Sequence, residues 1–277
     1  MKKLLLTGVA FAALTAGSAM AADLGAPVYG RPAAFPVAVP SWTGFYVGFN
    51  GGYGWSNSST TATPFQNFPG LVVIPPFAFS QNLNGAVFGG QLGYNYQIAN
   101  WVVGVEGDID WAGINNASPS LAISPGSGGT ATDGFMAHQN IQWLASIRGR
   151  LGYAWGPSLV YVTGGAAWDQ RNNNLLVSTN TNVAGAAAAA ASFSTNKSGW
   201  VIGAGYEWMI TPNWIVRGEY LHYGFNSGDI TPVSVPCGGL GPAAVCGVNV
   251  SSGNDHIDVV RLGLNYKFGH AAGGVYR

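Results

Sequence analysis

A chain of 277 residues with 11 basic and 11 acidic side chains, 8% charged and 48% hydrophobic, departs from a soluble domain, which carries about 25% charge. No apolar run of 18 residues recurs beyond the N-terminal segment, which excludes a bundle of spanning helices, and nothing in the charge balance supports a nucleic-acid partner. Lipid is the expected solvent, crossed by something other than helices.

Residues 1–21 read as a secretory signal peptide. Lys2 and Lys3 precede an apolar run over 4–16, and Ala19-Met20-Ala21 supplies a small-x-small cleavage site. The run falls short of the roughly 20 residues that a spanning helix needs. The mature chain is then expected to begin near Ala22 with nine basic and eleven acidic residues, a net −2. Residues 22–41 are Pro-rich and read as a periplasmic linker.

Apolar and polar residues then alternate in eight segments, near 43–55, 83–97, 101–112, 139–155, 158–169, 199–210, 214–225 and 256–268, each long enough to cross a bilayer as a tilted strand. The connections at 97–100, 155–158 and 210–213 are tight turns, marked by Gly156-Pro157 and Thr211-Pro212-Asn213. Those near 56–82, 113–138, 170–198 and 226–255 are long and rich in Ser, Thr, Asn, Gly and Ala. Residues 186–191 are an alanine tract, open to a short helix but read rather as a flexible spacer.

A repeat of form Gly, large, variable, aromatic counts the hairpins: Gly93-Tyr94-Asn95-Tyr96, Gly152-Tyr153-Ala154-Trp155, Gly205-Tyr206-Glu207-Trp208 and Gly263-Leu264-Asn265-Tyr266. Short turns on one side and long loops on the other imply an all-β fold, an eight-stranded antiparallel up-and-down transmembrane barrel over 42–268. Its four long loops would be extracellular, and a tail, 269–277, follows it.

Period-two geometry separates two faces. Trp101, Val103, Val105, Ile109 and Trp111 oppose Glu106, Asp108 and Asp110 on the third strand, and Ile141, Trp143, Ala145, Ile147, Leu151 and Tyr153 oppose Arg148 and Arg150 on the fourth. The inward charges are therefore Glu106, Asp108, Asp110, Asp169, Glu207 and Glu219 against Arg148, Arg150, Arg217, Arg261 and Lys267. Eight strands leave an interior that side chains fill, and isolated buried charges are too costly to keep, so these groups are expected to pair as a plug. A gated pore or proton path is the rival reading. Asp258 falls on the lipid side but at the outer rim, where a charge costs little.

Tryptophans gather at strand ends, as the water–lipid boundary favours. Trp55, Trp111, Trp143, Trp168 and Trp200 lie beside long loops; Trp101, Trp155, Trp208 and Trp214 lie beside turns, with Trp42 at the N-terminal side. Two aromatic girdles are expected. Inward glycines such as Gly48, Gly52, Gly89, Gly93, Gly203, Gly205 and Gly263 would leave room for larger side chains opposite.

The stretch Ser41-Trp42-Thr43-Gly44-Phe45-Tyr46-Val47-Gly48 and the ending Val260-Arg261-Leu262-Gly263-Leu264-Asn265-Tyr266-Lys267-Phe268 resemble the small outer-membrane β-barrel family that includes alphaproteobacterial major surface antigens and haemin-binding proteins. The chain is more distantly similar to the barrel domain of OmpA. The resemblance, over about 42–268, implies an outer-membrane location and a role as surface antigen in envelope integrity and loop-mediated interaction. A narrow porin or haemin-binding receptor is the alternative. In that family the closing strand ends the protein with a Phe that the barrel assembly machinery recognises, whereas here nine residues follow Phe268. Expected partners are that machinery, outer-membrane lipid and lipopolysaccharide, and host or phage ligands at the loops.

Candidate chemistry is sparse. His222 follows Glu219 near the outward end of the seventh strand, superficially similar to the site of barrel-type lipid A deacylases. That family places a serine two residues after the histidine, but here the position is Gly224, with Ser227 beyond. With no nucleophile in reach and no orienting third group evident, the chain reads as non-enzymatic. His138, His222 and His256 lie near outward strand ends and are candidates to line the mouth and capture haem or a metal ion, although no pair has the spacing HxxxH. No resident cofactor is expected. Cys237 and Cys246 share one Gly/Pro-rich segment and read as a loop-closing disulfide rather than a redox or metal pair.

Overall fold

The computed structural model describes residues 41–66, 77–115, 120–123, 133–181, 185–226, 231–236, 245–252 and 255–268. The signal peptide, most of the linker, the C-terminal tail and Cys237 lie outside the described residues, and with Cys237 the expected disulfide. No described helix is long and apolar enough to cross a membrane. Crossing falls to strands.

Among the described residues the strands are β1 (Gly44–Gln66), β2 (Phe77–Ile98), β3 (Trp101–Asn115), β4 (Ser120–Ile123), β5 (Asp133–Trp155), β6 (Ser158–Thr181), β7 (Gly185–Met209), β8 (Trp214–Phe225), β9 (Thr231–Pro236), β10 (Val245–Ser252) and β11 (Asp255–Lys267). Eight of them form an antiparallel wall in the order β11-β8-β7-β6-β5-β3-β2-β1, and β1 pairs again with β11. That pairing, from Tyr46 opposite Lys267 to Asn57 opposite His256, closes the barrel. Closure leaves no edge whose N–H and C=O groups would go unpaired in hydrocarbon. The short strands β4, β9 and β10 lie outside the ring: β4 pairs with β5, and β10 with β9 and with the outer part of β1.

The three tight turns fall where the sequence marks them. Gly156 has φ +58°, and Ala99, at the tip of the first turn, is held at φ +54°, in a region that L residues with a Cβ avoid. Asn100 steadies that tip by donating from Nδ2 to the Ala154 carbonyl at 3.1 Å.

The wall extends further than the alternation suggests. β6 and β7 pair without interruption from Ser158–Trp208 out to Thr181–Gly185, so much of 170–198 is strand rather than loop. The alanine tract 186–191 pairs in register with 175–180 and is neither helix nor spacer. Hydrogen-bonding partners across the hairpin override the weak β preference of alanine.

Two irregularities correct the expected faces. The register between β5 and β6 shifts between Ile141 and Trp143, and that between β3 and β5 between Trp111 and Ile114. A bulge inverts the faces beyond it, so Ile141 is fully buried inside instead of meeting lipid, while Trp143 is only half exposed and donates from Nε1 to Gln170 Oε1 at 2.6 Å. Trp42 is 0% exposed, against 54% for Trp101. It therefore belongs to the interior and not to a girdle.

Candidate functional site

Four layers fill the lumen, read from the short-turn end toward the long-loop end. The first is apolar: Trp42, Val102, Ala154, Leu159, Tyr161, Met209 and Ile215. Above it lies a network of five carboxylates, Glu106, Asp108, Asp110, Glu207 and Glu219, and four guanidinium groups, Arg148, Arg150, Arg217 and Arg261. All nine are the residues that the sequence places inside as ion pairs, and all are buried.

The register explains their meeting. Glu106 pairs with Arg148 across β3 and β5, Arg261 with Glu219 across β11 and β8, and Glu207 with Arg217 across β7 and β8. Arg148 then reaches three acids, donating to Glu106, to Asp108 at 2.8 Å and to Glu219 at 3.0 Å. Arg261 donates to Asp110 at 2.6 Å and to Glu219 at 2.8 Å. Arg150 meets Glu207 at 2.8 Å and stacks over the Tyr161 ring at 4.1 Å. Shared carboxylates offset the desolvation that any one buried charge incurs.

Neutral groups complete the network, and the charge pattern alone gives no sign of them. Tyr46 donates to Glu106 at 2.5 Å and Tyr161 to Glu219 at 2.9 Å. Asn50 donates to Gln91 and Asp110, Ser146 to Asp108, and Gln91 to Asn265. The glycines make the space: a Cβ on Gly93 would sit 2.4 Å from Tyr46 Oη, and one on Gly205 at the same distance from Tyr161 Oη. Their signal lay in the repeat, whose first residue they are. Lys267, also expected inside, is buried near the short-turn end, where its Nζ donates to the Ser41 carbonyl.

The third layer is apolar and larger, with Leu83, Val87, Ile114, Ile141, Leu144, Val201, Leu221, Tyr223, Phe225, Ile257 and Val259. A second ionic group caps it. Arg171 donates to Asp169 at 2.6 Å and to Asp255 at 2.6 Å, and Lys197 donates to Asp255 at 2.7 Å. Asp169 was legible as an inward charge. Arg171, Lys197 and Asp255 were not, because the alternation had ended and their segments read as loops.

The histidines do not converge on the mouth. His222 and His256 stack with ring centroids 5.3 Å apart on the outward face of β8 and β11, while His138 sits on β5, three strands away around the wall. His222 does have an orienting group that the sequence conceals: its Nδ1 lies 2.7 Å from Asp258 Oδ1, across the β8–β11 pair. No group of three or more metal-ligating side chains occurs among the described residues. Eight of the girdle tryptophans, Trp55, Trp101, Trp111, Trp155, Trp168, Trp200, Trp208 and Trp214, are exposed on the outer wall, in a broad apolar band with Phe49, Leu92, Val105, Ile147, Ile202 and Leu262. So large an exposed apolar surface on a closed wall is a surface for lipid.

Residues 9–268 match the family model described as outer membrane protein beta-barrel domain. The chain is 33% identical over 270 residues to the 31 kDa outer-membrane immunogenic protein of Brucella melitensis, covering 97% of this chain and all of that one. It is 28% identical to the 22 kDa outer membrane protein of Rhizobium leguminosarum bv. viciae, over 68% of this chain and 67% of that one. Among solved structures, Ail, the attachment invasion locus protein of Yersinia pestis, aligns with 82% of this chain and 99% of its own at 14% identity and a TM-score of 0.33.

Proposed function

This chain belongs to the outer membrane protein beta-barrel domain family, and from that premise we propose that it is a closed, non-enzymatic barrel that strengthens the envelope and displays its loops at the cell surface. The observation that carries this reading is the layered lumen. Two apolar layers alternate with two ion-paired ones, so a hydrated ion would have to displace packed Leu83, Ile114, Leu144 and Val259 and then break the pairs around Glu106 and Glu219. Such a filling supports a structural role over a conducting one, since an eight-stranded barrel has no width to spare.

The immunogenic names of the Brucella relatives support surface display. The long hairpins beyond the outer girdle provide the exposed backbone on which host or phage ligands would act. For catalysis, the position two residues after the oriented His222, where the deacylases place their serine, is Gly224. Haemin capture, which rests mainly on the family resemblance, is the second reading, and the separation of His138 from His222 and His256 gives it less support than the filled lumen gives a structural role.

Planar-bilayer recording tests the closed lumen: refolded protein should add no steady conductance, and a large, lasting open level would overturn the reading. Envelope strengthening is tested in cells. Deleting the gene should raise sensitivity to detergent, and expression of the wild-type chain should restore resistance.

A further inference from the structure

Among the described residues a polar cluster centred on Asp258 faces outward at the outer girdle. Asp258 pairs in register with Trp55 on one side and His222 on the other, so its carboxylate lies at the height of the girdle and faces outward. The carboxylate is held by two donors, Tyr220 Oη at 2.6 Å and His222 Nδ1 at 2.7 Å. His256 stacks on His222, their planes 17° apart, and the Trp200 ring lies 5.6 Å from His222 on the other side. Gly224 lets the indole lie down, since a Cβ there would stand 2.5 Å from Trp200 Cε2. The rings of β7, β8 and β11 thus form one ledge with a carboxylate beside it.

The girdle position accounts for Trp200 and makes a charge at Asp258 cheap, but it does not call for a carboxylate bonded to one of two stacked imidazoles. Its chemistry suits a ligand. The Asp258 carboxylate at Nδ1 orients the ring and leaves Nε2 as the ring nitrogen that can hydrogen-bond a hydroxyl group. Asp258 adds a further acceptor oxygen, and its charge repels a bare phosphate. Flat rings with adjacent acceptors fit the C–H face and hydroxyl groups of a sugar.

We propose that Trp200, His222, His256 and Asp258 form a binding site for the sugar headgroup of an outer-leaflet glycolipid. The site rests on the outer-membrane placement of the barrel and not on the closed lumen, so either can fail alone. The sugar lies against the ring ledge, its hydroxyl groups hydrogen-bond His222 Nε2 and donate to Asp258, and its acyl chains run down the apolar band toward Val260 and Leu262, which are exposed below it.

The test uses the full mature chain refolded in phosphocholine micelles, with labelled histidine rings followed by NMR and assigned by His222→Gln and His256→Phe. Rough lipopolysaccharide doped into the micelles should move the His222 and His256 signals and leave that of His138 in place. Phosphatidic acid at the same mole fraction should move none. Asp258→Asn and Trp200→Leu should each weaken the response by about tenfold, which corresponds to roughly 1.4 kcal/mol, while heat-modifiable gel migration shows that the barrel is intact. The inference fails if lipopolysaccharide leaves the two signals still. It also fails if phosphatidic acid moves them equally, or if the shifts follow protein concentration, as contact with a second copy would require.

Discussion

Arg217 on β8 and Glu106 on β3 hold each other across the full width of the barrel, Nη1 to Oε2 at 2.5 Å and Nη2 to Oε1 at 3.0 Å. The two strands are four places apart in a ring of eight, and the residues 111 apart in the chain. The wall is therefore tied through its centre as well as around its circumference. Glu106 also accepts from Arg148 and Tyr46, which makes it the hub of the network.

Replacement of that hub should be costly. Glu106→Ala removes the carboxylate that Arg148, Arg217 and Tyr46 share; Arg148 keeps Asp108 and Glu219 and Arg217 keeps Glu219, but each charged hydrogen bond lost from this dry interior costs about 1.5–3 kcal/mol. Urea titration in lipid vesicles should show the loss, with Glu106→Gln less severe because an amide oxygen still accepts. A change under about 1 kcal/mol would mean that water reaches the network.

The space over Gly93 predicts a second loss. Gly93→Ala drives a methyl group into Tyr46, whose hydroxyl is confined by Glu106 and Arg150. Overpacking of this kind costs about 1–3 kcal/mol. Gly90, in the same strand, has only the Gly48 carbonyl near its Cβ position, at 3.6 Å, so Gly90→Ala serves as the tolerated control in the same titration.

One substitution should stabilise. Ala99 sits at φ +54°, where a Cβ costs roughly 1 kcal/mol. Ala99→Gly should recover part of that, about 0.5 kcal/mol after the added freedom of the unfolded chain is subtracted. An unchanged or lowered unfolding midpoint would show that the turn carries no strain.

The outer ionic group predicts a protease pattern. Arg171 and Lys197 are trypsin sites, yet both side chains are buried around Asp169 and Asp255. Trypsin should spare them in the folded protein. In Asp255→Ala both cations lose a carboxylate, local opening becomes easier by roughly 1–3 kcal/mol, and fragments ending at Arg171 and Lys197 should accumulate. Equal cutting before and after the change would place the hairpin outside this cluster's control.

How much of this was legible depended on whether a residue's surroundings are set by its own strand. Leu262 and Arg261 follow from alternation alone, and so do the nine charges of the central network. Trp42 did not, because an aromatic residue beside a strand end fits a girdle and an interior cap equally well. Ile141 lay on the far side of a bulge, which a period of two cannot register. Arg171, Lys197 and Asp255 belonged to polar strand extensions that meet water outside and so lose the contrast between faces.

The sequence by itself determined the barrel: its eight-membered ring, most of its lipid face and girdles, and the mixed charges of its interior, because a bilayer imposes a two-residue period and an aromatic boundary on every strand that crosses it. Tertiary structure alone decided the partners. Arg217 finds Glu106 across the lumen, and His222 finds Asp258 on the neighbouring strand, only once closure and stagger set each strand's height against the others. Those heights follow from hydrogen-bond register around the whole ring, a property that no single strand carries in its own order of residues.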